Sequence, residues 1–308
     1  MTTFEEVRVF APATVSNLGP GFDVLGLALA GVGDTVVARR TTGHGVTIVA
    51  VHGADLPLEA DRNTAGIAAA ATLARSGFEA GIELEVHKGL PIGSGLGSSA
   101  ASAVAAAYAT NLLLGSPLRK ADLIGPCIEA EAAVAGRHAD NVAPSLLGGL
   151  ILIRSIDPVD VIRLPIPEGL TLVVVTPNFE LSTRKARAVL PAEVPLSAMV
   201  ETAGNLAALV SACYSGDLGL MSRAMCDRVV EPRRAALIPG CDDVIRSALD
   251  TGALGSSISG AGPTIFAICR STRSAHEVAT AMIAAFGRHG LDARSTVSAA
   301  DCPGARRL

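Results

Sequence analysis

Apolar and polar residues alternate early in the chain. Val7, Val9 and Ala11 fall on one face of a predicted strand whose pairing Pro12 ends, since proline has no N–H to give a ladder. Residues 13–23 are dense in turn formers and read as a loop. Val36 and Ala38, then Val46, Ile48 and Ala50, predict a hairpin over 35–51 closed by Thr42-Gly43-His44-Gly45. Asp61-Arg62-Asn63-Thr64 opens an Ala-rich helix to about Ser76, with Asn63 or Thr64 as its cap. Ile82, Leu84 and Val86 alternate with Glu83, Glu85 and His87, the period of a half-buried strand. A Gly- and Ser-rich loop follows, and then small residues from Ser98 to Leu114 that favour a helix stopped by Gly115. Another helix is predicted over 121–135, ended by Gly136.

In the second half, residues 148–153 read as a strand, after which Pro158, Pro165 and Pro167 punctuate a stretch of low helical content. A domain boundary is placed there, dividing the chain into 1–160 and 161–308. Residues 170–175 predict a buried strand, and Ser182 caps a short helix that sets Arg184 and Arg187 on one face. Helices are predicted at 197–214, 217–228 and 242–250, with Glu231-Pro232-Arg233-Arg234 as a turn between the last two. Small residues fill 255–264 before a strand at 265–269. A helix near 273–287 and a strand near 293–299 complete a second, βαβ-like unit.

Composition narrows the function. At 308 residues, 49% hydrophobic and 18% charged, the chain can bury an ample core. A net charge of −4, no Trp and two Tyr offer neither the basic surface nor the stacking groups of a nucleic-acid binder. The uncharged apolar run 142–153 is too short to span a bilayer, and Met-Thr-Thr-Phe-Glu-Glu lacks the apolar core of a signal peptide. The expectation is a cytoplasmic protein without nucleic-acid or membrane partners. Six cysteines with neither C-x-x-C spacing nor histidine neighbours read as buried thiols in a reducing compartment.

Candidate chemistry centres on Gly89-Leu90-Pro91-Ile92-Gly93-Ser94-Gly95-Leu96-Gly97-Ser98-Ser99-Ala100-Ala101-Ser102-Ala103. Glycines 93, 95 and 97 let successive N–H groups point at one anion, and the following helix adds its positive end, a cradle suited to polyphosphate. Ser98 or Ser99 can give a hydroxyl to a phosphate oxygen or a magnesium ion. No Lys-Ser/Thr pair follows the last glycine, as a Walker A loop requires, and the third glycine falls one position early for the dinucleotide fingerprint. A tight turn before a packed helix is the plainer alternative, but it needs less Gly and Ser than stand here. Asn17 and Asp23 flank Gly19-Pro20-Gly21, which can bring both side chains into one pocket where Asp23 suits an ammonium group; an Asx-turn and a helix cap serve equally. Glu131 needs a cation or cap if it faces the core. Arg187 and Arg234 can grip a carboxylate bidentately or form surface salt bridges.

The central loop resembles the signature P-x-G-x-G-L-G-S-S-A of the GHMP kinases, a superfamily named for galactokinase, homoserine kinase, mevalonate kinase and phosphomevalonate kinase, with every fixed position met. The resemblance implies an α+β chain of two domains, ribosomal-protein-S5-domain-2-like in its N-terminal β/α half and ferredoxin-like in its C-terminal α/β half. It implies ATP held by Pro91, Ile92, Gly93, Ser94, Gly95, Leu96, Gly97, Ser98, Ser99, Ala100 and Ala101, with Asn63 near the adenine or ribose. Residues 12–23 resemble the first motif of the homoserine kinase branch, P-A-T-x-x-N-L-G-P-G-F-D. Neither the Lys-bearing loop of mevalonate kinases nor the R-V-N-L-I-G-E-H of galactokinases fits. His138 to Pro144 resembles that branch's H-x-D-N-V-A-P, and Arg187 and Arg234 match its S-T-x-x-A-R and E-P-x-R.

By this resemblance the chain transfers the γ-phosphoryl of ATP to the side-chain hydroxyl of L-homoserine. Asn17, Asp23, His138, Asn141, Thr183, Arg187 and Arg234 are expected to meet the substrate, and Ser98 and Glu131 to bind Mg2+, with Glu129 the other acidic candidate. Asn141, Ser98 and Glu131 form the expected catalytic set, Asn141 orienting the hydroxyl where other branches have an Asp. Residues 255–264 match the third motif, expected to brace the glycine loop. Another GHMP kinase with a different alcohol, or an ATP sensor without turnover, are the competing readings. A homodimer is the expected assembly.

Overall fold

The structure, a computed structural model, describes residues 4–308. Strand β1 (Glu6–Ser16) does not end at Pro12: its register shifts between Pro12 and Thr14 and pairing with β2 (Leu25–Thr41) resumes, so only residues 17–24 turn. Ala13 to Ser16 are all buried, which hides the period-2 signal of a strand. β3 (Gly45–His52) is not hairpin partner to β2 as the alternation over 35–51 suggested. Helix α1 (Thr64–Ser76), capped by Asn63, carries the chain over to β4 (Gly81–His87), which lies between them, antiparallel to β2 and parallel to β3. Periodicity finds strands but not their neighbours. The glycine loop leads into α2 (Ser98–Leu113), and a 3-10 turn precedes α3 (Ile124–Val134) and α4 (Val142–Leu147).

β5 (Leu150–Ile156) and β6 (Val159–Leu164) form a hairpin on β2, so the first sheet runs past the boundary expected at 160 and Pro158 belongs to a turn, not a linker. Then follow β7 (Thr171–Pro177), α5 (Thr183–Ala188), α6 (Leu196–Ser215) and α7 (Leu218–Ala224). Glu231-Pro232-Arg233-Arg234 is not a turn but the start of α8 (Glu231–Ala235), where proline sits among the first residues that need no N–H partner. α9 (Cys241–Asp250) leads to β8 (Gly255–Ile258), so the small-residue stretch 255–264 begins as a strand. β9 (Ile265–Cys269), α10 (Thr272–Arg288), β10 (Ala293–Ala299) and β11 (Arg306–Arg307) finish the chain.

The first sheet has the order β11-β1-β2-β4-β3, with β5 on β2 and β6 on β5. The second is antiparallel in the order β10-β7-β9-β8, with helices between β7 and β8 and between β9 and β10, which is the split βαβ arrangement of ferredoxin-like domains. β7 joins the two units: Leu172 and Val174 pack into the core of the first sheet and its helices, Val173 and Val175 into the core under α9 and α10. Burial on both faces explains its unbroken apolar run. α6 is long and apolar enough by composition to cross a bilayer, although Glu201 interrupts its uncharged stretch. Leu209, Ala212 and Cys213 bury one stripe of it, while Leu196, Met199, Val200 and Tyr214 face outward.

Candidate active site

β4 delivers the chain to the loop and α2 receives it; between them Gly93, Gly95 and Gly97 hold φ of 63°, 79° and 67°, a region that costs other residues strain. Space adds to conformation. A Cβ on Gly95 would stand 2.4 Å from the Ser259 carbonyl oxygen, and one on Gly97 would stand 2.2 Å from Thr14 Oγ1. The second domain packs directly on the loop: Ser259 Oγ donates to the Gly95 carbonyl at 2.7 Å and Thr264 N to the Ser94 carbonyl at 3.2 Å. These contacts are the bracing expected of residues 255–264.

Below the loop lies a charged pair that the sequence reading missed. Asp34, fully buried in β2, accepts hydrogen bonds from Gly89 N (3.0 Å), Leu90 N (3.2 Å) and Ser102 Oγ (2.7 Å) and pairs with Lys88. Lys88 Nζ also donates to the Ser98 carbonyl at 2.8 Å and to Ser102 Oγ at 2.9 Å. Burial pulls the Lys88 pKa down and Asp34 opposes that. Together the two clamp the start of the loop to the first turn of α2. The available signal was a lone Asp inside an apolar strand, with a Lys immediately before Gly89.

The loop forms one wall of a cleft of about 540 Å³. Asn17, Asp23, Asn63, Ile92, Gly93, Ser94, Gly95, Gly97, Ser98, Ser99, Glu131, His138, Asn141, Thr183, Arg187 and Arg234 all line it, as does Lys88. Four of the expected nucleotide residues do not. Ala100 and Ala101 face the core from α2, Leu96 is 6% exposed and meets Thr14 N through its carbonyl, and Pro91 points outward while its carbonyl accepts Ser94 Oγ. Their motif positions serve packing and loop shape. Among the described residues, six buried side-chain polar atoms lack a partner, and Ser16 Oγ, Glu131 Oε1, His138 Nε2 and Arg187 Nε belong to this one cleft. Orphaned buried groups are rare, so four in one place mark a ligand site.

At one end Arg187 grips Asp23 bidentately, at 2.8 and 3.1 Å. Arg187 and Arg234 both stand over the Phe22 ring, 5.5 and 5.2 Å from its centroid. Arg234 is 3% exposed and donates to the Gly260 carbonyl at 2.6 Å; burial, and the Arg187 charge, lower its pKa. Asn17 has both amide atoms engaged, accepting from Asp23 N and donating to the Gly260 carbonyl, each at 3.1 Å. Asn17, Leu18 and Asp23 have φ of 74°, 49° and 59°, backbone strain collected at the turn that presents Asp23.

Glu131 is 2% exposed, whereas Glu129 lies on the surface beside Arg75, which favours Glu131 as a cation ligand. Burial raises the Glu131 pKa against the lowering effects of His138, Ser99 and Lys88. Ser99 lies near enough to Glu131 to lower its pKa, while Ser98 Oγ leans back on the Leu90 carbonyl at 3.3 Å. His138 Nδ1 lies 2.9 Å from Asp140 Oδ1. Burial alone would lower the His138 pKa, but Asp140 and neighbouring carboxylates raise it on balance. Asn141 Oδ1 accepts from Thr14 Oγ1 at 2.8 Å, which leaves its amide nitrogen toward the cleft with only a long 3.5 Å contact to Asp140. Asn63 caps α1 by accepting from Ala65 N and donates to the Pro57 carbonyl, so both its amide oxygen and its amide nitrogen have a backbone partner.

A phosphate cradle facing a pocket of paired charges suits transfer of a phosphoryl group to a small polar molecule. The family models for the GHMP kinases N terminal domain and the GHMP kinases C terminal match residues 63–149 and 209–289, which makes the chain a GHMP kinase in both halves. The homoserine kinase of Arabidopsis thaliana is 45% identical over 98% of this chain and 85% of its own length. That of Xanthomonas campestris pv. campestris is 43% identical over 98% and 94%. The crystal structure of homoserine kinase from Cytophaga hutchinsonii matches with a TM-score of 0.96 and 44% identity, covering 100% of this chain and 99% of that one. The chain belongs to the homoserine kinase family.

Proposed function

We propose that the chain transfers the γ-phosphoryl group of ATP to the side-chain hydroxyl of L-homoserine, giving O-phospho-L-homoserine and ADP. The observation that carries this reading is the meeting of Asp23 with Arg187 and Arg234, from opposite domains, in the same cleft as the glycine loop. A zwitterionic amino acid inserted there exchanges one internal ion pair for two, its ammonium on Asp23 and its carboxylate on the guanidinium forks. The main-chain N–H groups of Gly93, Ser94, Gly95 and Gly97 and the start of α2 receive the phosphates, the helix end contributing about 0.3–2 kcal/mol.

Asn141, fixed by Thr14, presents its amide to the substrate hydroxyl and aims it along the line of transfer. An amide takes no proton at neutral pH, so the hydroxyl proton leaves to the transferring phosphate or to water. Glu131, with one buried oxygen unpartnered, fits a hard cation, and Ser98 or Ser99 supplies the neighbouring hydroxyl. A magnesium ion held there would offset charge on the phosphates.

Six free cysteines, five of them buried, support a reducing, cytoplasmic setting. The outward strip of α6 supports a homodimer. It carries Leu196, Met199, Val200 and Tyr214, the helix has Glu201 as its sole charge, and a two-fold contact needs only that one face. An ADP-release assay with homoserine, mevalonate and galactose tests the proposed reaction. Turnover with homoserine alone is expected; turnover with another alcohol, or ATP binding without turnover, contradicts it.

A further inference from the structure

His52, at the end of β3, and Glu85 and His87, on β4, share the outer face of the first sheet, away from the cleft. The register explains their meeting. His52 lies opposite His87 in the parallel pair, and Glu85, two residues before His87, points to the same side. His52 Nε2 is 3.0 Å and His87 Nε2 is 3.2 Å from the same oxygen, Glu85 Oε1. The two rings stack with centroids 4.7 Å apart and 21° between their planes, so both nitrogens face one point. His87 Nε2 is shielded from solvent and makes no hydrogen bond.

Two imidazoles and a carboxylate are the donor set of a borderline divalent cation. Bonds of about 2.0–2.2 Å to a tetrahedral zinc ion put neighbouring donors roughly 3.3–3.5 Å apart. The two distances from histidine to carboxylate need to open by only a few tenths of an ångström, and all three ligand atoms lie within 4.8 Å of one another. The other oxygen of Glu85 accepts from Arg39 Nη1 at 3.2 Å, and Arg39 is in turn held by Glu6. That outer contact fixes the carboxylate's orientation, as second partners do in built metal sites, and the Arg39 hydrogen bond is the largest influence keeping Glu85 ionised.

The geometry points to a binding site for a divalent late-transition-metal ion, zinc being the type, at His52, Glu85 and His87, with a fourth position open to water. Its place suggests what it does. Lys88 N donates to the His52 carbonyl at 2.9 Å, and Lys88 begins the clamp beneath the glycine loop, so the ion staples the ends of β3 and β4 where the chain enters that loop. None of the three residues lines the cleft.

The test titrates Zn2+ into metal-stripped full-length protein carrying Glu131→Gln, so that the cleft carboxylate takes no part, and follows heat and thermal midpoint. One equivalent should bind saturably and raise the midpoint, and Co2+ should give the visible absorption of a low-coordinate site. His52→Ala and His87→Ala, each checked for native circular dichroism, should each weaken binding by more than the roughly 10–100-fold that loss of an outer partner costs. Phosphoryl transfer by the same two variants in an otherwise wild-type chain should be unchanged in magnesium. Absence of saturable zinc uptake, or uptake and stabilisation that survive in the His52→Ala/His87→Ala double variant, would overturn the assignment.

Discussion

Arg234 shows how much one side chain is asked to do. It is buried, stacks on Phe22 and holds the Gly260 carbonyl, and in the proposed reaction it also meets the substrate carboxylate. Arg234→Lys keeps the charge but loses the fork, so the KM for homoserine should rise by roughly 30-fold, the worth of about 2 kcal/mol for a charge-assisted contact, with the KM for ATP little changed. Equal losses for both substrates in steady-state kinetics would make Arg234 a structural residue alone. Glu131 gives a pH signature. Burial raises its folded-state pKa, so the stabilisation from holding its proton is complete below the unfolded value near 4.5 and is lost as pH rises through the raised value. In metal-free buffer, Glu131→Gln should therefore flatten the decline in unfolding free energy that begins above pH 4.5, and at neutral pH it should be the more stable protein. An unchanged pH profile would show that Glu131 is ionised at no cost.

At the scale of elements, the strand β4, its glycine loop and α2 act as one piece because Asp34 and Lys88 tie them together. Breaking a buried pair by removing one charge costs about 3–5 kcal/mol, so Asp34→Asn should lower unfolding free energy in urea by that order and weaken ATP binding. Asp34→Asn/Lys88→Met should recover part of the stability, since it removes the stranded ammonium; no recovery would mean that the backbone N–H groups of Gly89 and Leu90 dominate the loss. The loop and α2 were legible in the sequence because glycine spacing and small residues leave a direct mark. Asp34 was not, because burial of a charge is a tertiary fact. The parallel pairing of β3 with β4 was hidden for the same reason: alternation in Val46, Ile48 and Ala50 says which face is buried, not which strand lies beside it. At α8, Pro232 was read as a turn signal although proline is equally at home in a helix's first turn.

At the scale of the molecule, the two-domain architecture and the motif residues of the cleft followed from the family resemblance, while the limits of the first unit did not. β6 is short, largely exposed and at an edge, so its membership of the first sheet leaves little trace in sequence. The exposure of α6 is likewise invisible to a count of apolar residues. If that face closes a homodimer, Met199→Glu/Val200→Glu should sediment as a folded monomer where the unaltered chain sediments as a dimer; a monomeric unaltered chain would leave the strip unexplained. The central claim is that Asp23 and the two guanidinium groups hold both ends of an amino acid in front of a phosphate-binding turn. It is tested most directly by measuring ADP release with L-homoserine, its methyl ester and its N-acetyl derivative at saturating ATP and magnesium. The account predicts efficient turnover of homoserine and a loss of at least roughly 30-fold in kcat/KM for each blocked compound. Equal turnover of all three, or none of homoserine, would contradict it.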